Sequence, residues 1–187
     1  MGWGFLILPA LFILTHCTAP VTTTRDPRIQ DQAAGVQLLE IPFFRQQNWT
    51  GCGAAVLASV LSYWDRDIRP EDIQKRFPAD SPGRGYTLGE LKKIARHYDC
   101  HAFAFACSLD TLKEHLAAGR PLIVPLEIDP APPLLPDYDH YVIVVGLDRV
   151  RGRIYLADPQ VGILRSGLSD FNRQWRAKSY AALLVAP

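Results

Sequence analysis

At 187 residues the chain is long enough for one domain with a proper core and too short for several. Its 20 Lys and Arg nearly cancel its 19 Asp and Glu, leaving a formal charge of +1, which excludes the strongly basic profile of a nucleic-acid or polyanion binder. No repeat, heptad pattern or low-complexity block is present, so function has to be sought in a site rather than in composition.

The chain opens with an uncharged segment. Trp3 to Leu14 is almost wholly apolar, too short for a comfortable bilayer span but right for the apolar part of a secretory signal, which predicts a targeting signal over residues 1–17. The stretch Leu14-Thr15-His16-Cys17 resembles a bacterial lipobox, in which cleavage before the cysteine precedes its lipidation. His16 stands where a small residue is usual and no Lys or Arg precedes the apolar run, so an uncleaved signal anchor and ordinary secretion stay open beside lipidation of Cys17. Residues 18–35, rich in Thr, Pro and polar side chains, predict a flexible tether, and residues 36–187 the folded domain. On this reading the domain works in the bacterial cell envelope, on the periplasmic side, held to a membrane by an N-terminal lipid or signal anchor.

In the domain, Val36 to Pro42 alternates enough to predict a strand. A polar loop, Arg45-Gln46-Gln47-Asn48-Trp49-Thr50-Gly51, then leads into an apolar helix expected from Cys52 to Trp64 and buried on most sides. Pro70-Glu71-Asp72 opens a short second helix, with proline in its first turn and acids at its positive end. Thr87 and Glu90 fit a capping box for an amphipathic helix to about His97. A short strand is predicted over His101 to Cys107, and Ser108 caps a helix ending at Gly119. Beyond it, Pro121 to Ile128 is a mostly apolar run that ends at the proline-rich segment Pro130 to Pro136. His140 to Leu147 and Arg153 to Ala157 predict a hairpin about Val150 to Gly152, Ser169 a helix cap, and Tyr180 to Val185 the last strand. Helices first and antiparallel strands afterwards make the fold class α+β, in two lobes with a cleft between them.

Cys52 falls on the first turn of the buried helix, where unpartnered N–H groups and the helix dipole favour a thiolate, and where Gly51 and Gly53 leave the sulfur open to a substrate carbonyl. A structural cysteine that merely starts a helix is an equal alternative at this stage. Of the five histidines only His140 opens an apolar strand after a long loop, a place that suits a general base. Asp158, at the end of the partner strand, can share its sheet edge and hold the imidazole in one tautomer, unless it serves only as a turn-former before Pro159. Asp139 is the substitute candidate for that role.

Gln46 five residues before Cys52-Gly53, then His140-Tyr-Val-Ile-Val-Val-Gly and Asp158-Pro159, resemble in order and spacing the motifs of the bacteriocin-processing cysteine peptidases. Those are papain-like domains that remove double-glycine leaders, fused to peptide-exporting ABC transporters or standing alone. The resemblance runs from about Ile41 to the C-terminus. It implies a papain-like fold, a helical lobe with the buried nucleophile helix packed on a C-terminal antiparallel sheet. It also implies Cys52 as nucleophile, His140 as general base, Asp158 as orienting acid, and Gln46 rather than Gln47 as oxyanion donor beside the Cys52 N–H. Gly51, where an acidic or hydroxyl residue is common, and Asp139, where glycine is frequent, depart from the pattern. The chain carries no P-loop or transporter membrane domain, so the expected partner is an exported peptide or protein, brought by a separate secretion system and cut after Gly-Gly or small residues. The Pro130 to Pro136 loop, ahead of His140, either lines the cleft or is a stiff surface connector.

Two other functions use the same residues. A cell-wall peptide hydrolase or acyl transferase would run the same triad on peptidoglycan stem peptides, but the Asp-Cys-Ser-Gly signature common in that group is absent around Cys52. A non-catalytic peptide-binding module would not need both Cys52 and His140. No cofactor is expected: His97, Cys100 and His101 cluster in sequence but lack a fourth zinc ligand at a plausible spacing. Cys100 and Cys107 flank an extended segment of roughly 23 Å, too long for a disulfide, and are expected as buried thiols. Trp49, Tyr63 and Trp64 are read as core or cleft-wall aromatics.

Overall fold

The computed structural model describes residues 22–23, by main chain alone, and residues 35–81, 83–128 and 139–187. The signal and Cys17, most of the 18–35 tether, Pro82 and the Pro130 to Pro136 loop lie outside the described residues.

A short ladder, β1 (Thr22–Thr23) against β2 (Pro42–Phe43), precedes the helix α1 (Cys52–Tyr63). Every residue of α1 from Cys52 to Leu61 is buried, and its small side chains let neighbours approach closely. Its one polar core residue, Ser59, is satisfied locally: Oγ donates to the Ala55 carbonyl at 2.9 Å and accepts from the Phe44 N–H at 3.2 Å. Two helices pack around it, α2 (Pro70–Arg76) and α3 (Leu88–His97). The capping box on α3 is formed, with Thr87 Oγ1 accepting from the Glu90 N–H at 3.2 Å and Glu90 accepting from the Thr87 N–H at 2.7 Å. These bonds, after the opposing effect of burial, hold the Glu90 carboxyl below its usual range.

Then follow β3 (His101–Ala106), α4 (Leu109–Ala117), capped by Ser108 as expected, β4 (Leu122–Leu126), β5 (His140–Asp148), β6 (Arg153–Asp158), β7 (Gly162–Gly167), α5 (Leu168–Ala177) and β8 (Ala181–Ala186). The six larger strands form one antiparallel sheet in the order β3-β8-β4-β5-β6-β7. α1 lies against β5, so the buried helix and the central strand share one core. No helix among the described residues is long and apolar enough to cross a membrane.

Three expectations need correction. Val36 to Pro42 is not a full strand: among the described residues only Pro42–Phe43 forms a ladder, and Leu39 gives its N–H to the Val145 carbonyl at 2.8 Å. The reason is a bulge in β5, where pairing with β6 shifts between Val144 and Gly146 and leaves Val145 free to accept that bond. Ser169 does not cap α5; the helix starts at Leu168, behind Gly167, and the Leu168 N–H is taken by the Gly152 carbonyl at 2.8 Å. Third, β7 is not expected at all from its sequence, since Gly-Ile-Leu-Arg-Ser-Gly has neither clean alternation nor β-branched enrichment.

Candidate active site

The site forms where the start of α1 meets the first residue of β5. Gly51 is the N-cap of α1 and, having no side chain, makes no side-chain cap bond. The flanking glycines are needed for packing as much as for access. A Cβ on Gly51 would sit 3.3 Å from the Asn48 carbonyl, and one on Gly53 3.1 Å from Tyr86 Cβ.

His140 and Cys52 are both nearly enclosed, at 4% and 2% exposure. The His140 ring is held by Asp158, whose Oδ2 lies 2.9 Å from Nε2, and the charge of Cys52 acts on it as well. With Nε2 committed to Asp158, Nδ1 is the nitrogen left to exchange a proton with the sulfur. Burial opposes a charged ring here, but the hydrogen bonds and negative charges of Asp158 and Cys52 outweigh it and raise the His140 pKa from 6.5 to about 9. Cys52 Sγ also lies 3.5 Å from the main-chain carbonyl of Asp139.

Asp158 satisfies both roles considered for it. Oδ2 faces His140, while Oδ1 accepts from the N–H groups of Gln160, at 2.8 Å, and Val161, at 3.4 Å, closing the turn between β6 and β7. Asp139, the substitute, points elsewhere: its carboxylate pairs with Lys178 at 2.8 Å.

The two glutamines are separated by their partners. Gln47 Nε2 donates to Glu71 on α2, away from the sulfur. Gln46 Nε2 donates to the Asn48 carbonyl at 3.1 Å, which fixes the amide orientation, because a carbonyl cannot accept from Oε1. Gln46 Oε1 is buried and has no hydrogen-bond partner among the described residues. The loop carrying Gln46 is tied to the Asp158 turn by the Gln46 N–H to the Pro159 carbonyl, 2.9 Å, and by Arg45 Nη1 to the Gln160 carbonyl, 3.1 Å. Sequence reasoning misses Asn48, whose carbonyl accepts from both Gln46 and Gly51 and whose Oδ1 accepts from Thr50. An exposed loop asparagine before Thr-Gly is the signal that points to it.

The remaining candidates lie elsewhere. Cys100 and Cys107 are buried free thiols, and burial pushes the Cys107 pKa up to about 11. No group of three His, Cys, Asp or Glu among the described residues is placed to hold a metal ion. Tyr63 and Trp64 are partly buried, with Trp64 Nε1 bonded to the Val185 carbonyl at 2.8 Å, but Trp49 is neither core nor enclosed wall, being 55% exposed on the nucleophile loop.

A thiol at a helix start, a buried imidazole and a carboxylate behind the ring form a set able to generate a nucleophile and return its proton to a leaving group. The chain is 28% identical over 131 residues to the Lactococcin-G-processing and transport ATP-binding protein LagD of Lactococcus lactis subsp. lactis, covering 70% of this chain and 17% of LagD. It is 26% identical over 139 residues to the probable functional amyloid protease FapD of Pseudomonas fluorescens, covering 71% of this chain and 56% of FapD. It thus spans just over half of one of these relatives and a sixth of the other. Its fold matches a double glycine motif protease from an AMS/PCAT transporter, solved with the leader peptide, with a TM-score of 0.62 at 23% identity, over 80% of this chain and 94% of that one. The α+β architecture expected from the sequence is therefore that of the papain-like peptidases. Residues 38–183 match the Peptidase_C39 like family, and the chain belongs to that family of cysteine peptidases.

Proposed function

We propose that this protein cleaves a peptide bond after Gly-Gly or another pair of small residues in an exported protein, by thiol chemistry. Cys52 attacks the scissile carbonyl, His140 takes the thiol proton and delivers it to the leaving amine, and Asp158 keeps Nδ1 of the ring aimed at the sulfur. The Cys52 N–H and the second amide hydrogen of Gln46 stabilise the tetrahedral oxyanion. The observation that carries this reading is the burial of Cys52 at the head of a helix together with His140, whose ring lies 2.9 Å from the Asp158 carboxylate. The acyl-enzyme is released by water, activated by the same imidazole.

The substrate arrives through a separate secretion system, and the enzyme meets it in the cell envelope, tethered through Cys17 or an uncleaved signal. The likeness to LagD supports a peptide leader as substrate, and the likeness to FapD supports a functional amyloid protein instead. Mass spectrometry of a panel of Gly-Gly leader peptides and an amyloid-forming exported protein tests both. Wild-type protein is expected to cut one of them after the small pair, Cys52→Ala to cut neither, and Gln46→Ala to lose roughly 10²–10³-fold in kcat. Cleavage of peptidoglycan stem peptides with the leaders untouched would move the protein to the cell-wall hydrolases. Binding without turnover of any would leave a peptide-binding module.

A further inference from the structure

Asp139 adjoins the site at three points that the peptidase reading leaves unused. Its main-chain carbonyl stands 3.5 Å from Cys52 Sγ, within reach of a thiol hydrogen bond. It immediately precedes His140, where the β4–β5 ladder ends with Leu126 opposite His140. Its carboxylate is clamped from two directions: Oδ1 lies 2.8 Å from Lys178 Nζ, and Oδ2 accepts from the Tyr141 hydroxyl at 3.4 Å. Tyr141 is fully buried, and desolvation together with the charge of Asp139 keeps its hydroxyl protonated far above the usual range, so it stays a donor.

Lys178 comes from the C-terminal end of α5, and its side chain is 20% exposed. It is the C-cap of α5, and the two residues after it, Ser179 and Tyr180, both adopt φ of 55°, a left-handed conformation that side chains other than glycine rarely take. Such strain persists only where the surroundings over-determine it. Here they do. Lys178 and Tyr180 N–H groups both bond the Trp175 carbonyl, Trp175 Nε1 bonds the Ala181 carbonyl at 2.8 Å, and the Tyr180 ring packs edge-on against buried Trp175. The turn therefore presents Lys178 from one fixed place.

We propose that Lys178 is a positioning residue for the reaction: through its ion pair with Asp139 it fixes both the carbonyl beside the Cys52 sulfur and the strand start that carries His140. The inference rests on the peptidase reading but needs only the geometry of the sulfur and the ring. Without Lys178 the Asp139 carboxylate, about two-fifths exposed, turns to solvent, its carbonyl moves, and the sulfur and imidazole lose their common alignment. A displacement of this kind, far smaller than an unfolding, acts on kcat and leaves ground-state binding alone.

The test compares wild type, Lys178→Met, Lys178→Arg, Asp139→Ala and the Asp139→Ala/Lys178→Met double variant in two assays. With a cleavable peptide, Lys178→Met is expected to lower kcat about 10-fold with KM within about twofold, and Lys178→Arg to restore most of it. In the Asp139→Ala background the Lys178 substitution is expected to change nothing further, since it acts through that carboxylate. The second assay is the rate of Cys52 alkylation by iodoacetamide at neutral pH, read against Cys100 and Cys107. Lys178→Met is expected to slow it at least about threefold, because a shifted ring supports the Cys52 thiolate less well. If wild type turns over no peptide, the peptidase reading fails, and alkylation alone then decides the positioning role. An unchanged or faster alkylation rate in Lys178→Met, equal losses in both backgrounds, or a fall in kcat that Lys178→Arg does not rescue would overturn it.

Discussion

The β5–β6 pair ends in an aspartate at either side, and the two carboxylates are used differently. Asp148, at the end of β5 far from the nucleophile, gives Oδ1 to the Arg151 N–H at 3.0 Å and Oδ2 to the Arg151 guanidinium at 3.0 Å. Those two bonds, with burial opposing them, hold its carboxyl below the usual range. Asp158, at the end of β6, closes its turn with Oδ1 alone and leaves Oδ2 for His140. Both are turn-formers by the same side-chain chemistry. What separates the catalytic end is that the second oxygen of Asp158 is not taken by an arginine of its own turn, so an imidazole from the neighbouring strand can take it.

The comparison is tested most strongly by removing each carboxylate. Asp158→Ala frees the ring, leaves the β6–β7 turn unclosed and is expected to lower kcat/KM roughly 10²–10⁴-fold in peptide hydrolysis. Asp148→Ala is expected to lower the Tm and to leave kcat/KM within about twofold, because nothing at that end touches the sulfur or the ring. Similar activity losses in both would mean that the hairpin acts as one rigid unit and that Asp158 has no special part in the chemistry.

The next effect is a pH dependence confined to the catalytic end. His140 is raised from 6.5 to about 9, with burial opposing and Asp158 and Cys52 favouring the charged ring. The folded state therefore holds a proton that the unfolded chain releases. The stability this contributes is fully present below about pH 6.5, declines as pH rises and is lost through about pH 9. Urea melts of the wild type and of His140→Gln should accordingly converge between those limits, with the wild type losing ground as pH rises. The alkaline limb of kcat/KM should fall near the same upper value, and Asp158→Asn, which removes one of the two charges, should move that limb to lower pH. A gap between wild type and His140→Gln that is constant from pH 6 to 10 would mean that the ring is neutral in the fold.

Much of this end is legible in the sequence. Cys52 can be placed at a helix start because a polar loop gives way abruptly to Ala-Ala-Val-Leu, and His140 and Asp158 can be put at one sheet edge because a hairpin of known length joins them. Local caps are also readable, since Thr87 and Ser108 satisfy N–H groups within their own turn. What stays hidden depends on partners distant along the chain. The start of α5 is set by a carbonyl at Gly152, the extended segment before β2 by a bulge at Val145, and β7 by its pairing with β6. Asn48 and Lys178 are hidden for the same reason. Each is an unremarkable surface residue type whose importance lies in what it meets: a glutamine amide and a helix N-cap for Asn48, a carboxylate beside the histidine for Lys178.

The smallest expected effect comes from the arginine at each end. Arg151 pairs with a carboxylate in its own turn, whereas Arg45 reaches from the nucleophile loop to a main-chain carbonyl at Gln160, joining the Gln46 loop to the Asp158 turn. The parallel bond from the Gln46 N–H to the Pro159 carbonyl remains when Arg45 is removed, so the two loops stay together but can rock. Arg45→Ala is therefore expected to cost only about 3- to 10-fold in kcat, with KM and Tm little changed, because the Gln46 amide proposed as oxyanion donor and the histidine's carboxylate lose their fixed relation. Arg151→Ala should do the reverse, lowering the Tm as Asp148 loses its partner and leaving kcat as it was. Steady-state kinetics and thermal melts on the two variants, side by side, separate the cases. If Arg45→Ala also altered only the Tm, the bridge between the loops would be structural, and catalysis would depend on the Asp158–His140 contact without it.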